Sequence, residues 1–200
     1  MTQGPVDVPD GLALGEDGVL RCAWSAGQPD YRRYHDEEWG RAVHGEVPLF
    51  ERITLEAFQS GLSWLTILRK RGNFRAAFAE FDPASVAAFD ERDVERLMQD
   101  SGIVRNRRKI EATLANARAL VAMRERGERL DSLFWDHAPA DRSRPGTPAG
   151  IPTQSEESVR LSRELKSRGF AHIGPTTMYA AMQACGLVDD HLEACQVGVR

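Results

Sequence analysis

Residues 169–182 read GFAHIGPTTMYAAM, and the fold prediction depends on this stretch. The segment IGPTT lies between two predicted helices: Ser155 caps the first and Gly169 ends it, whereas Pro175 begins the second. Gly174 allows close approach of the backbone to a ligand. The first turn of the second helix presents free N–H groups, which suit an anion such as a DNA phosphate. The stretch therefore predicts a helical hairpin whose second helix could bind an anion at its N-terminus.

The rest of the chain is predicted to be helical as well. The longest periodic segment covers residues 105–126, and proline, aspartate or serine residues suit the starts of several further helices. No stretch alternates with a period of two residues, so the predicted fold class is all-α. Residues 1–20 are rich in glycine, proline and aspartate and are predicted to be a flexible extension. Residues 21–200 are predicted to form a single domain.

The composition is that of a globular protein, with 42% apolar and 28% charged residues in a chain of 200. The net charge of −4 does not by itself indicate a nucleic-acid partner, but residues 69–75 (RKRGNFR) and 105–109 (RNRRK) are basic clusters without an acid. These clusters are either binding patches or solvated helix ends. The odd number of cysteines argues against a disulfide framework, and we recognise neither a secretory signal nor an apolar run of bilayer length. We therefore expect a cytoplasmic protein without a membrane partner.

Two pairs of potential metal ligands lie far apart in the sequence. His191 and Cys195 are four positions apart, which would place both on one face of a helix. Cys22 and His35 belong to the N-terminal part of the chain. Two thiolates and two imidazoles would fill the shell of a tetrahedral, structural zinc ion. The alternative is that the cysteines are small buried side chains and the histidines lie on the surface.

One carboxylate falls on the apolar stripe of a predicted helix. Glu56 follows Leu49 and Ile53 at helical spacing, so it must be hydrogen-bonded, paired or neutralised. Such a group is a candidate functional residue, although a pairing with an arginine at the edge of the stripe would also explain it. Trp64 ends the corner SGLSW (60–64) and is either a pocket wall or part of the core.

Several stretches together resemble the helix-hairpin-helix DNA glycosylase superfamily, and the chain from Cys22 to Cys195 resembles its 3-methyladenine DNA glycosylase I (Tag) family. The stretches occur in family order: CAW (22–24), YHDEEWG (34–40), LEAFQSGLSWLTIL (55–68), FDPASVAAF (81–89), SGIVRNRRKI (101–110) and GFAHIGPTTMYAAMQACGLVDDH (169–191). The resemblance implies two helical lobes, a helix-hairpin-helix at about 160–186, and a structural zinc ion that joins the two ends of the domain. The extension at 1–20, the loop at 141–150 and the VGVR tail have no clear counterpart.

The resemblance also implies the residues of the site. The zinc ligands would be Cys22, His35, His191 and Cys195. Glu56 and Tyr34 would hydrogen-bond a base flipped out of the duplex, inside a pocket completed by Trp24, Tyr31, Trp39 and Trp64. Leu62 is expected to act as a wedge in the gap that the base leaves. Contacts to the DNA backbone are expected from Gly174, Thr176, Arg105 and Lys109.

The implied activity is hydrolysis of the N-glycosidic bond of 3-methyladenine in double-stranded DNA, which leaves an abasic site. No lysine lies beside the hairpin, since Lys166 precedes it, so we expect a monofunctional enzyme without lyase activity. We also expect the protein to be a monomer. Two alternatives stay open. One is a non-catalytic, zinc-stapled helix-hairpin-helix module that binds DNA. The other is a zinc hydrolase that uses YHDEEWG (34–40) catalytically, and it requires an open coordination position.

Overall fold

In the computed structural model residues 8–198 are described, and they form nine α-helices and one short β-hairpin. The strands are β1 (Leu12–Leu14) and β2 (Leu20–Cys22). The helices are α1 (Pro29–Glu37), α2 (Glu46–Gln59), α3 (Trp64–Ala77), α4 (Pro83–Ala87), α5 (Glu91–Gln99), α6 (Arg107–Glu125), α7 (Leu130–Trp135), α8 (Glu156–Ser167) and α9 (Pro175–Ala184). No helix in this described range is long and apolar enough to cross a bilayer.

The N-terminal hairpin is a feature that the sequence analysis did not indicate. β1 and β2 pair antiparallel, with Leu12 opposite Cys22. The described residues are predominantly helical, as predicted, and the hairpin includes residues 12–20 of the segment predicted to be a flexible extension. Strands of three residues are too short to show a period of two, which explains why the sequence pattern did not indicate them. Residues 1–7 lie outside the described part of the chain.

The hairpin is held by the C-terminal segment. Leu12 and Cys22 form a small apolar cluster with Leu192 and Cys195, separate from the main core. The Gln196 N–H donates to the carbonyl of Leu20 at 2.9 Å, and the Gln196 side-chain oxygen accepts from the Leu20 N–H at 2.8 Å. The two ends of the described chain are thus joined by apolar packing and by backbone hydrogen bonds.

The main core lies between α2 and the helices that surround it. α2 packs against α3, α6, α7 and α9, while α6 also packs against α4 and α5. The apolar stripe of α2 explains this position, because Leu49, Phe50 and Ile53 are fully buried. Aromatic side chains from α2, α3 and the turn after it fill the adjoining core: Phe58, Phe74, Phe78 and Phe81.

The predicted helical hairpin corresponds to α8 and α9, which pack against each other and are joined by residues 168–174. Ser155 caps α8 through the N–H of Ser158. The turn is held from below by Asn116 of α6, whose side chain makes two hydrogen bonds with the backbone of Ala171 at 2.7 and 3.2 Å. This clamp gives the start of α9 a defined position.

Candidate active site and metal centre

A cavity of about 320 Å³ opens between α1, α2, α3 and α9. It is lined by Trp24, Tyr31, Tyr34, Trp39, Glu56, Gln59, Trp64, Ile151, Ala180 and Gln183. All six residues that the sequence places in a base pocket therefore border one cavity. Its size and its predominantly aromatic walls suit a flat heterocycle.

The aromatic walls form one connected group of rings. Trp24 packs edge-on against Tyr31 and Trp39, with ring centres 5.5 and 5.1 Å apart. Tyr34 lies 6.5 Å from Trp24 and 5.3 Å from Trp64. The Tyr31 hydroxyl accepts a hydrogen bond from the backbone N–H at position 65, at the start of α3, which fixes that ring at the mouth.

Two buried polar atoms of the cavity residues have no hydrogen-bond partner within the protein. They are the hydroxyl of Tyr34 and the indole Nε1–H of Trp64. A buried polar group without a partner costs about 1–3 kcal/mol and calls for an explanation, such as an ordered water or a bound ligand. Both residues line the cavity, which makes them candidates for contact with a molecule that binds there.

Glu56 adds an acidic group to this lining. It lies on the core face of α2, as the spacing predicts, and is 6% exposed. Burial raises the pKa of Glu56 to about 8, against the opposing effect of the Arg52 charge. Burial thus favours the protonated form of this carboxyl, whereas a cation that approaches it favours ionisation. The alternative explanation, a pairing of Glu56 with an arginine, is not found in the described structure, where Arg52 forms its ion pair with Glu38.

The four predicted metal ligands come together beside the cavity. All four are buried, and one ligand atom from each of Cys22, His35, His191 and Cys195 lies within 4.8 Å of the others. His191 Nδ1 is 3.2 Å from His35 Nε2. The Cys195 sulfur is 3.7 Å from His35 Nε2 and 3.8 Å from His191 Nδ1. Tetrahedral zinc bonds would separate N from N by about 3.3 Å and N from S by about 3.6 Å. The donor set and its spacing fit a tetrahedral ion.

Both imidazoles are oriented by a second hydrogen bond. His35 Nδ1 lies 2.8 Å from the Asp36 carboxylate, and His191 Nε2 lies 3.3 Å from the carbonyl of Trp39. Each histidine thus turns its other nitrogen to the centre of the group, as metal-binding histidines do. Asp36 lies in the last turn of α1 and thus orients a potential metal ligand. A hydrogen bond from Cys22 also lowers the pKa of the Cys195 thiol and favours the thiolate.

The helix expected to carry His191 and Cys195 is absent from the described structure. Residues 191–195 form turns, and the N–H at position 195 donates to the carbonyl at 192 at 2.8 Å. The two side chains converge because this turn folds back against the hairpin of Cys22. The His191 and Cys195 side chains therefore converge as predicted, but a turn brings them together and the predicted helix does not.

Most of the predicted DNA contacts lie on the surface. Leu62 is 42% exposed at the tip of the corner between α2 and α3, where Gly61 adopts φ +82°. Thr176 and Arg105 are exposed as well. At Gly174, the N-cap of α9, an added Cβ would meet no atom within 4 Å, so the space before this helix is open.

Lys109 does not fit the predicted role of a direct DNA contact. Its side chain is buried, and its ammonium donates to the carbonyls of Phe58 and Ser60 at 2.8 and 2.6 Å. It therefore caps the C-terminal end of α2, where free carbonyls favour a cation. The sequence does not distinguish the buried Lys109 from the exposed residues of the same basic cluster (105–109). The long apolar stem of a lysine can be buried while its ammonium group finds polar partners.

The sequence did not indicate four of the lining residues: Gln59, Ile151, Ala180 and Gln183. Gln59 follows Glu56 by three positions on α2, so helical spacing alone could have suggested it. Ala180 and Gln183 lie on α9. Ile151 comes from the proline-rich loop, where no local pattern indicates a contact with the cavity.

Comparison with known proteins agrees with this geometry. The model of the methyladenine glycosylase family matches residues 24–198. DNA-3-methyladenine glycosylase 1 of Escherichia coli (strain K12) is 48% identical over 178 residues, covering 88% of this chain and 95% of that protein. A DNA-3-methyladenine glycosylase of Haemophilus influenzae is 46% identical over 180 residues, covering 88% of this chain and 97% of that protein.

Solved structures give the same result. A crystal structure of 3-methyladenine DNA glycosylase I superimposes with a TM-score of 0.86 at 45% identity, covering 90% of this chain and 100% of that one. A Staphylococcus aureus 3-methyladenine DNA glycosylase I, described for its recognition of 3-methyladenine, has a TM-score of 0.85 at 31% identity. This superposition covers 90% of this chain and 97% of the Staphylococcus aureus chain. The chain therefore belongs to the methyladenine glycosylase family.

Proposed function

We propose that this protein is a DNA-3-methyladenine glycosylase, which removes 3-methyladenine from double-stranded DNA by hydrolysis of the N-glycosidic bond. The observation that carries the proposal is the cavity with aromatic walls that is lined by the buried Glu56 and by Tyr34 and Trp64, whose polar side-chain atoms have no partner within the protein. The relatives named for this activity match nearly the whole chain.

The chemistry of the base explains these groups. Alkylation at N3 makes adenine cationic, and a cation gains attraction from the faces of Trp and Tyr rings. Glu56 loses its proton as the cationic base enters and then accepts a hydrogen bond from the base. Normal adenine carries no charge, so it does not favour this ionisation. The pocket thus discriminates by charge as well as by shape.

The reaction itself makes small demands on the protein. A water oxygen forms the new bond to C1′, the C1′–N9 bond breaks, and its electron pair neutralises the positive charge on the departing base. The water loses a proton to solvent. Because the leaving base is already activated by its charge, Glu56 serves recognition and charge stabilisation rather than strong general-base catalysis.

Access to the bond requires the nucleotide to be flipped out of the duplex, at a cost of a few kcal/mol. Leu62 is exposed beside Trp64 at the cavity corner and would fill the vacated space in the stack. Stacking of the base on the aromatic walls offsets the cost by roughly 1–3 kcal/mol. Lys109 holds the carbonyls of this corner and positions Leu62 rather than contacting DNA.

The helices α8 and α9 would act as a helix-hairpin-helix that binds the DNA backbone. α9 begins at Pro175, a Cβ added at its N-cap Gly174 would meet no atom within 4 Å, and the exposed Thr176 lies in its first turn. The free N–H groups of that turn would bind a phosphate. Arg105 would add a second, side-chain contact to the backbone.

The buried Cys22, His35, His191 and Cys195 would hold one structural zinc ion. Four protein ligands leave no position for a water molecule, so the metal supplies stability and takes no part in the reaction. Metal analysis should find one zinc per chain, lost in Cys195→Ala and kept in Cys185→Ala, whose buried sulfur lies outside the group. A stable, active protein without metal would contradict the zinc proposal.

We further propose a monofunctional monomer that acts in the cytoplasm. The three cysteines are free, as a reducing compartment requires. Methylated duplex DNA should yield free 3-methyladenine and intact abasic strands. Binding without release of base would favour the non-catalytic DNA-binding module, and cleaved strands would contradict the absence of lyase activity. A three-ligand zinc with bound water, seen by X-ray absorption, would favour the zinc hydrolase.

A further inference from the structure

Glu38 bridges two arginines from two different helices. Its Oε2 accepts hydrogen bonds from Arg52 Nη2 at 2.7 Å and Arg71 Nη1 at 2.5 Å, and its Oε1 accepts from Arg71 Nη2 at 2.8 Å. Burial raises the pKa of Glu38, but the hydrogen bonds from Arg71 and Arg52 outweigh it and lower that pKa to about 2. Glu38 is therefore a negative charge held in place by two arginines.

Arg52 has a second carboxyl within reach on its own helix. Glu56 follows it by four positions on α2, a spacing at which opposite charges usually pair. Both side chains lie in the described part of the chain, yet the ion pair of Arg52 is with Glu38 and none forms with Glu56. The guanidinium lies 5.8 Å from the ring centre of Tyr34. Glu38 thus draws Arg52 across Tyr34, and Glu56 is left without an ionic partner at the cavity.

We infer that Glu38 is a positioning residue, which holds Arg52 away from Glu56 and keeps the Glu56 carboxyl free for the cationic base. The inference rests on the proposed function, in which Glu56 contacts that base. Without Glu38 the guanidinium of Arg52, only 12% exposed, would lose its closest counter-charge. A pairing with Glu56 would then give the Arg52 guanidinium a counter-charge again. A Glu56 neutralised by an internal arginine would no longer attract a cationic purine.

The other groups around Glu56 do not compete with Arg52 for this role. Tyr34 on α1 and Cys185 after α9 are the further titratable groups that face it. Burial raises the pKa of the Tyr34 hydroxyl well above its usual value and that of the Cys185 thiol to about 12. Both stay neutral near pH 7. Arg52 is the one cation among these facing groups, so a closer approach of its guanidinium would oppose the effect of burial and favour the ionised Glu56.

The test is a ¹³C NMR titration of the Glu56 side-chain carboxyl in the full-length protein, with the resonance assigned by its loss in Glu56→Gln. Glu38→Gln should lower the Glu56 pKa by at least one unit. Adding Arg52→Met should abolish that decrease. Glu37→Gln, an equal charge change at an exposed neighbour without an ion pair in the described structure, should leave the titration unchanged. Unchanged Glu56 ionisation in Glu38→Gln would overturn the inference.

Activity provides a second readout. Glu38→Gln should excise 3-methyladenine at least tenfold more slowly than wild type, mainly through KM, and the added Arg52→Met should recover part of the loss. If Glu38→Gln does not fold, Glu38→Asp keeps the charge on a shorter stem and should produce the same changes in weaker form. No change in Glu38→Asp would then overturn the inference. Wild-type excision by Glu56→Gln would overturn the proposed contact with the base, while the titration would still measure the effect of Glu38.

Discussion

The Nδ1 atom of His35 lies 2.8 Å from the carboxylate of its neighbour Asp36, and this contact fixes which ring nitrogen faces the other metal ligands. Arg21 binds the same carboxylate at 2.9 Å and holds it in place. Removal of such an outer hydrogen bond typically weakens metal affinity by roughly 10- to 100-fold. Asp36→Asn should therefore weaken zinc binding by this factor, as measured by competition with a chelator.

The neighbouring Glu37 provides the control for Asp36. Glu37→Gln removes an equal charge one residue away from an exposed position and should keep the wild-type zinc affinity. Equal affinities for Asp36→Asn and wild type would show that the carboxylate does not orient His35.

Tyr34 should be more important for recognition than for stability. Because its buried hydroxyl has no partner in the protein, Tyr34→Phe removes no internal hydrogen bond. The variant should unfold at the wild-type urea concentration or above it. Its affinity for free 3-methyladenine, measured by calorimetry, should fall roughly 3- to 10-fold.

The adjacent His35→Ala should behave differently, since it removes a metal ligand and should lower both zinc content and melting temperature. If Tyr34→Phe loses as much stability as His35→Ala, the Tyr34 hydroxyl has a structural role instead.

The buried carboxyl of Glu56 should make stability depend on pH. Its pKa is about 8 in the folded protein, against an ordinary value of 4.5. Between these values the folded state retains a proton that the unfolded chain releases, so stability falls as pH rises through this window. The expected slope is up to about 1.4 kcal/mol per pH unit. Above about pH 8 the destabilisation is complete.

Urea unfolding at pH 5, 7 and 9 measures this effect. The difference in unfolding free energy between Glu56→Gln and wild type should grow in favour of the variant at each increase in pH, because glutamine has no charge to bury. A constant difference between the two proteins at all three pH values would show that the Glu56 carboxyl is not desolvated.

Lys109 and Arg105 belong to the same basic cluster, but we expect Lys109 to contribute to stability and Arg105 to DNA binding. Lys109→Met leaves the carbonyls of Phe58 and Ser60 without their donor and should cost about 2–3 kcal/mol of unfolding free energy. Arg105→Ala is exposed and should change stability by less than about 0.5 kcal/mol. It should weaken DNA binding and reduce the slope of log affinity against log salt by about 1. If Lys109→Met alone changed the salt slope, Lys109 would be a DNA contact after all.

The sequence predicts the parts of this site that depend on local periodicity. Glu56 could be placed on a buried face because Leu49 and Ile53 precede it at helical spacing. The start of α9 at Pro175 likewise follows from local rules for helix N-termini. No local rule brings Cys22 to Cys195, and it was the resemblance to a family that indicated their contact.

Other features depend on tertiary partners that a linear pattern does not contain. Asp36 and Glu38 look like an acidic turn in YHDEEWG, but each is bound by an arginine that approaches from another segment. The burial of Lys109 depends on carbonyls about fifty positions earlier in the chain. The β-hairpin escapes detection because its strands are short, and its stability depends on contacts with the C-terminal segment.

The most direct test of the catalytic site is the single-turnover rate of 3-methyladenine release from a methylated duplex by wild type and Glu56→Gln. Loss of a hydrogen bond from a charged group costs about 1.5–3 kcal/mol, so the variant should be roughly 10- to 150-fold slower while it folds normally. Release of 3-methyladenine by Glu56→Gln at the wild-type rate would contradict the assignment of this cavity as the site of base recognition.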